Sequence, residues 1–212
     1  GDILIPLSFG SGTRLGGITI VSAANVGTDA GAVTATASIR ASSILMSACS
    51  TTARFGALDT DGASGIDLNG NVILLTAGVT TAGGGPLTIT NAGLLTIADT
   101  TGTDDTAVFD IDLAGAFLQD GAGNVNISGD IRTADANVRF QSAVQVITTG
   151  SVMVDAGTAL FQADTNLVVN NSAHIFDVAS SNFDIGTLSN LGTFRLTGQQ
   201  ASTYSIGTVD ID

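Results

Sequence analysis

"VQVITTGSVMVDAG", residues 144–157, has the outline of a β-hairpin: two apolar runs, Val144–Ile147 and Val152–Val154, flank a Thr-Gly pair. Gly150 is therefore either the tip of a hairpin or one corner of a repeating coil, and the choice decides the fold. Steps of 21 residues from Gly150 reach Gly129, Asn171 and Gly192. All are residue types that tolerate the left-handed backbone of a sharp corner. An apolar ladder keeps the same step through Val125, Val146, Leu167, Leu188 and Val209. A second runs Ile73, Leu95, Phe117, Val138, Leu160, Phe183, Tyr204, and a third Val108, Ile131, Val152, Ile175, Leu196. With 44% of residues hydrophobic, one such ladder arises by chance. Three in register with a Gly/Asn ladder do not.

Each period holds three short apolar runs, such as "VRF" at 138, "VQV" at 144 and "VMV" at 152. An antiparallel meander with an odd number of strands per repeat would reverse direction at every repeat, and equivalent corners would not recur. A coil that closes once per period makes every repeat equivalent, and its strands stack in parallel about 4.8 Å apart. Gly150 reads as a corner. Alternation agrees: Val125 and Ile127 point one way, Asn126 and Ser128 the other. In "VFDID" it sends Phe109 and Ile111 inward and Asp110 and Asp112 to solvent.

The predicted fold is all-β: a right-handed parallel β-helix, or β-solenoid, of 21–23 residues per coil and roughly nine coils. That period exceeds the about 18 residues of a left-handed hexapeptide helix. Residues 66–212 carry the regular coils, while residues 1–65 read as irregular coils, a cap or an insertion of the same continuous domain. An amphipathic helix over 38–48 competes with a strand there, and its Ser and Thr content argues against the helix.

Composition supports short strands and tight corners. The chain has 212 residues, 27 of them Gly. All 19 acidic residues are Asp, all six basic residues are Arg, and the good helix formers Glu and Lys do not occur. A net charge of −13 argues against nucleic acid and against an anionic membrane surface. No apolar run is long enough to span a membrane. The lone Cys49 excludes an internal disulfide and reads as a small buried thiol. Beginning with Gly rather than Met, the chain reads as processed or as a piece of a longer one.

The stretch "GNVNISGDIRTADANVRFQSAVQVITTGSVMVDAGTALFQAD" resembles the β-helical repeats of filamentous-haemagglutinin-like adhesins and other large β-strand-repeat secreted bacterial proteins. Gly-Asp/Asn corners followed by apolar triplets carry the resemblance, which covers about residues 66–209. It implies an exported, extended solenoid at the cell surface or outside the cell. The family has no shared catalytic set, so it assigns no functional residue.

Asp110 and Asp112, with Asp130 and Arg132, offer the most pointed chemical reading: calcium held by carboxylates on stacked strands, with Arg132 as base, as in β-helical polysaccharide lyases. The plainer reading is a solvated face on which Arg132 stacks over Asp110 as an ion pair. "DTDG" at 59–62 echoes the opening of a calcium loop, but the closing Glu is impossible here, and an Asx turn fits Asp59, Asp61 and Gly62 better. Asp104-Asp105 reads as an acidic loop and a weak cation site. His174 has no Cys or carboxylate at metal-ligand spacing. "GGGPL" at 83–87 lacks the Lys and helix of a phosphate loop and reads as a wide turn.

No catalytic residue, metal ligand or cofactor is assigned, and Gly129, Gly150, Asn171 and Gly192 are kept as a structural corner ladder. The functional expectation is a non-enzymatic extracellular module of a filament or surface stalk. Its partners would be further copies head to tail, flanking coils of a longer chain, or surface glycans. The alternative is a carbohydrate-active β-helix or a glycan-binding adhesin; one Tyr and no Trp weigh against sugar stacking.

Overall fold

Val144–Val146 does not fold back on the run after it. It pairs in parallel with Val125–Ile127 on one side, and Val144 lies beside Leu167 on the other. The run after Gly150 joins a different stack, with Val154 between Ile131 and Val178. Gly150 is a corner, and the chain is a parallel β-helix of about eight turns, one fewer than the period predicts.

The computed structural model describes residues 1–27, 38–100, 108–148, 150–190, 192–196 and 203–210. Among them, 21 strands form a single parallel sheet, with no helix. Each turn visits three faces, called A, B and C in chain order. The inward column of face A runs Ala53, Ile73, Leu95, Val125, Val144, Leu167, Leu188. That of face B runs Ile39, Leu58, Val79, Ile111, Ile131, Val154, Val178. Face C contributes Ile44, Ile66, Leu87, Phe117, Val138, Phe161, Phe183. All of these are buried. Alternate residues of a strand share a face, so a β-branched or aromatic residue at every second position builds the column. Each such burial stabilises the fold by about 1.5–3 kcal/mol.

The predicted ladders hold in part. Val144, not Val146, stands between Val125 and Leu167. Phe161, not Leu160, stands between Val138 and Phe183. Ile73 and Leu95 belong to face A, whereas Phe117 onward belongs to face C. The third ladder mixes columns, for Ile131 pairs with Val154 and Val152 pairs with Phe176. The cause is uneven corner length. Thirteen residues separate Ile97 on face A from Ile111 on face B, yet three separate Ile127 from Ile131 one turn later, with both flanking pairings kept in register. A constant step drifts out of phase wherever a corner takes in or sheds a residue.

The described residues of 1–65 stack in the same three columns. Ile3 pairs with Val26, Ile18 with Ile44, and Ile44 with Ile66. The 38–48 segment contains the strand Ile39–Met46, not a helix. It alternates buried and exposed residues at both ends, Ile39 and Ala41 facing the face B column and Ile44 and Met46 that of face C.

Inside the coil, Phe117, Phe140, Phe161, Phe176 and Phe194 make a continuous aromatic stack, with centroid spacings of 5.0, 6.4, 5.7 and 6.4 Å. Outside it, the column of face A reads Leu4, Gly27, Arg54, Leu74, Thr96, Asn126, Gln145, Val168, Ser189, Asp210.

Candidate functional site

Parallel, in-register stacking sets every outward side chain beside its counterpart one turn away, so charge order along a face is dictated by register. On face B this produces an arginine–aspartate ladder. Arg40 is the register partner of Asp59, Asp112 of Arg132 and Asp177 of Arg195. Arg40 Nε donates to Asp59 Oδ2 at 2.9 Å, and Arg14 Nη2 donates to both Asp59 oxygens at 2.9 and 3.0 Å. Arg14 Nε reaches Asp61 at 3.0 Å. The two carboxylates of "DTDG" are thus held by arginines, and the calcium-loop reading of Asp59 and Asp61 finds its oxygens engaged.

Arg132 forks onto Asp112, Nε to Oδ1 at 3.0 Å and Nη2 to Oδ2 at 2.6 Å. The partner is Asp112, not Asp110 as the predicted stacking had it. The hydrogen bond to Asp112 raises the Arg132 pKa above its ordinary value. Arg132 also lies over the ring of Phe109, 4.7 Å from its centroid. Phe109 is therefore outside rather than in the core, while Asp110 is buried rather than solvated. The alternation of "VFDID" breaks at the corner, and only Ile111 and Asp112 obey it.

Asp110 and Asp130 are both buried, and both satisfy backbone donors. Asp110 accepts from the N–H of Thr100 at 2.8 Å and of Asp130 at 2.9 Å. Asp130 accepts from the N–H of Met153 at 2.6 Å. Each carboxylate caps a main-chain group of the next turn, which compensates its desolvation through charge-assisted hydrogen bonds. Asp110, Asp112 and Asp130 do not converge. Among the described residues no three His, Cys or Asp side chains are placed to hold a metal ion. Asp104-Asp105 lies outside the described residues.

The four corner residues share the A-to-B corner but not one column. Gly150 and Gly192 occupy the levels either side of His174, as the pairings Ser151–Ile175 and Ile175–Thr193 show. Asn171 lies three residues before His174 and accepts from its N–H at 2.9 Å. Gly129 precedes Asp130 and donates to Ile97 O at 3.3 Å. Gly129 and Asn171 do not have positive φ. Glycine is needed at this corner for space: a Cβ on Gly129 would fall 2.5 Å from Ala98 O, and one on Gly192 the same distance from His174 O. His174 is buried, and its Nδ1 has no hydrogen-bond partner among the described residues.

A second polar corner, between face C and the next face A, escapes the sequence reading. Gln119 occupies an inward position between Ile89 and Phe140 and is fully buried. Its Nε2 donates to Asn91 Oδ1 and to Gly121 O, both at 2.8 Å, and its Oε1 accepts from the N–H of Gln141 and Ser142, both at 3.1 Å. Asn91 Nδ2 donates to Gly93 O at 2.6 Å and Gly123 O at 3.0 Å, and Ser142 Oγ donates to Gly121 O. A signal for it exists: "LTITN" and "FLQ" each end on an amide where alternation calls for an apolar residue.

The other singled-out positions are structural. Cys49 is buried and donates to Ala24 O at 3.3 Å. It borders an open depression of about 680 Å³ lined by small residues, among them Ala24, Ala48, Ser50 and Ala92. "GGGPL" is a turn in which Gly83 and Gly84 have φ of 60° and 81°. On face C, Arg139 Nη2 holds Asp164 at 2.6 Å, and Asp67 has its pKa raised by burial and then by the charge of Asp120.

No protein-family model, no curated protein and no solved structure matches the chain. No helix among the described residues is long and apolar enough to cross a membrane.

Proposed function

We propose that this chain is a non-enzymatic, extracellular structural or adhesive β-solenoid module, stacked end to end in a filament or forming part of a surface stalk. The observation that carries the reading is how its charged groups are used. Asp59, Asp112, Asp164 and Asp177 hold arginines, while Asp110 and Asp130 cap backbone N–H groups of adjacent turns. Turn is tied to turn on the outside as the aliphatic columns tie them within, which suits a load-bearing rod. The outermost described turns support association along the axis. Leu15, on the strand Leu15–Ile20, is 43% exposed at one end, and Val209, on the strand Thr203–Asp210, is 51% exposed at the other. Strand edges with such residues are sites for β-augmentation by further coils or by another copy. The likeness in repeat style to filamentous-haemagglutinin-like proteins belongs to this proposal.

Electron microscopy of the purified chain tests it. Filaments with an axial repeat of several nanometres are the expected result. Depolymerisation of an acidic polysaccharide by the chain in the presence of calcium would overturn it in favour of a lyase.

A further inference from the structure

The outward column of face A differs from the charged faces B and C. Its ten described levels carry one arginine, Arg54, at the third, one aspartate, Asp210, at the last, and no other charge. The other five arginines each hold an aspartate, but Arg54 has no ion pair among the described residues. Asn126 and Gln145, midway between Arg54 and Asp210, make no side-chain hydrogen bond among the described residues.

We propose that face A is the contact surface for a second copy of this chain, laid flat against the first with the rods antiparallel. The twofold axis lies along the strand direction, between the levels of Asn126 and Gln145. Such an axis maps the eight levels from Arg54 to Asp210 onto themselves in reverse and leaves those of Leu4 and Gly27 overhanging. Arg54 of each copy then faces Asp210 of the other, Thr96 faces Val168, and Asn126 faces Gln145, amide to amide. These eight levels are thus complementary to their own reversal, in charge at their ends and in hydrogen bonding at their centre. The charge of the whole chain points to the same face. Two copies at −13 repel, and that repulsion is least where each approaching column carries a single carboxylate that meets an arginine of the other copy. Eight levels about 4.8 Å apart, and a width of about five residues, give roughly 600 Å² per copy. That is the lower bound of specific interfaces, so the pair forms reversibly with concentration.

This lateral pairing does not depend on end-to-end stacking, and shape separates the two. Sedimentation velocity and small-angle scattering on the whole chain, at concentrations up to about 1 mM, should show a dimer only about 10 Å longer than a single rod of about 45 Å. Arg54→Asp and Asp210→Arg should each weaken dimerisation by about tenfold or more, and the double reversal should restore it. Gln145→Asp, which sets like charges near the axis, should weaken it independently, and circular dichroism melts verify that each variant is folded. A strict monomer over the whole range, a dimer of doubled length, single reversals without effect, or a double reversal that restores nothing would each overturn the proposal.

Discussion

The middle turns, residues 58–146, and the later turns, residues 151–190, close the same triangle by different means. In the middle, almost every strand is three to five residues long, and the chain breaks direction at sharp corners. One of those corners is filled by the amides of Asn91 and Gln119. In the later turns the strands Ser151–Val169 and Ile175–Asn190 run 19 and 16 residues, bending past the corners through irregularities at Gly157 and between Ala163 and Asn166. Their interior is more aromatic, with Phe161, Phe176 and Phe183. From Ile111 to Ile131 is 20 residues, but from Val154 to Val178 is 24. A corner is therefore held either by specific polar groups in a tight turn or by bulk inside a loose one.

Substitutions in each region test that contrast, and the largest effect is expected at the tight corner. A Cβ on Gly123 would lie 1.5 Å from Gly93 O, a backbone atom that cannot step aside. Gly123→Ala should cost more than about 4 kcal/mol in urea denaturation or prevent folding altogether. Next is Phe161→Ala, which should cost about 3–5 kcal/mol through cavity formation. Because turns contact their neighbours only, hydrogen exchange should show the lost protection concentrated between residues 138 and 185. If the loss spread evenly down the rod, the two regions would be one cooperative unit and the contrast would lapse.

Gln119→Leu should cost about 2–3 kcal/mol, since it strands Asn91 Oδ1 and the N–H of Ser142, while Gln141 N–H keeps the backbone oxygen of residue 119. The same denaturation series reads it, and a neutral result would mean that bulk closes both kinds of corner. The smallest effect belongs to the surface. Asp67 has its pKa raised, so its ionised form disfavours folding, and that penalty grows as pH rises through and above the ordinary carboxylate range. Asp67→Asn should therefore stabilise the protein slightly at pH 7, by no more than a few tenths of a kcal/mol, and leave it unchanged near pH 3. Denaturation midpoints at the two pH values check the sign.

The parallel coil is legible in the sequence because periodicity survives drift: enough of the 21-residue steps land on the right column to show that the strands stack. Register is less legible. Val144 and Val146 are both buried, and nothing local says which of them opposes Val125. Leu160 and Phe161 are adjacent and both apolar, and only the bulge at Gly157 decides which faces in. The polar features elude the pattern for one reason. Alternation assigns a side chain to core or solvent, whereas Asp110 and Gln119 do neither, being buried and fully hydrogen-bonded at corners. Arg132 does stand beside an aspartate, but a 20-residue turn rather than a 22-residue one gives it Asp112.

The long A-to-B corner has a practical meaning. Between Ile97 and Ile111 the scaffold accepts ten residues more than at the equivalent place one turn later, and Ile111 still meets Val79 and Ile131. Such a scaffold can host foreign sequence as a rack hosts cards. A peptide epitope or an enzyme-recognition tag inserted there should be displayed at a known height along the rod without disturbing the neighbouring shelves.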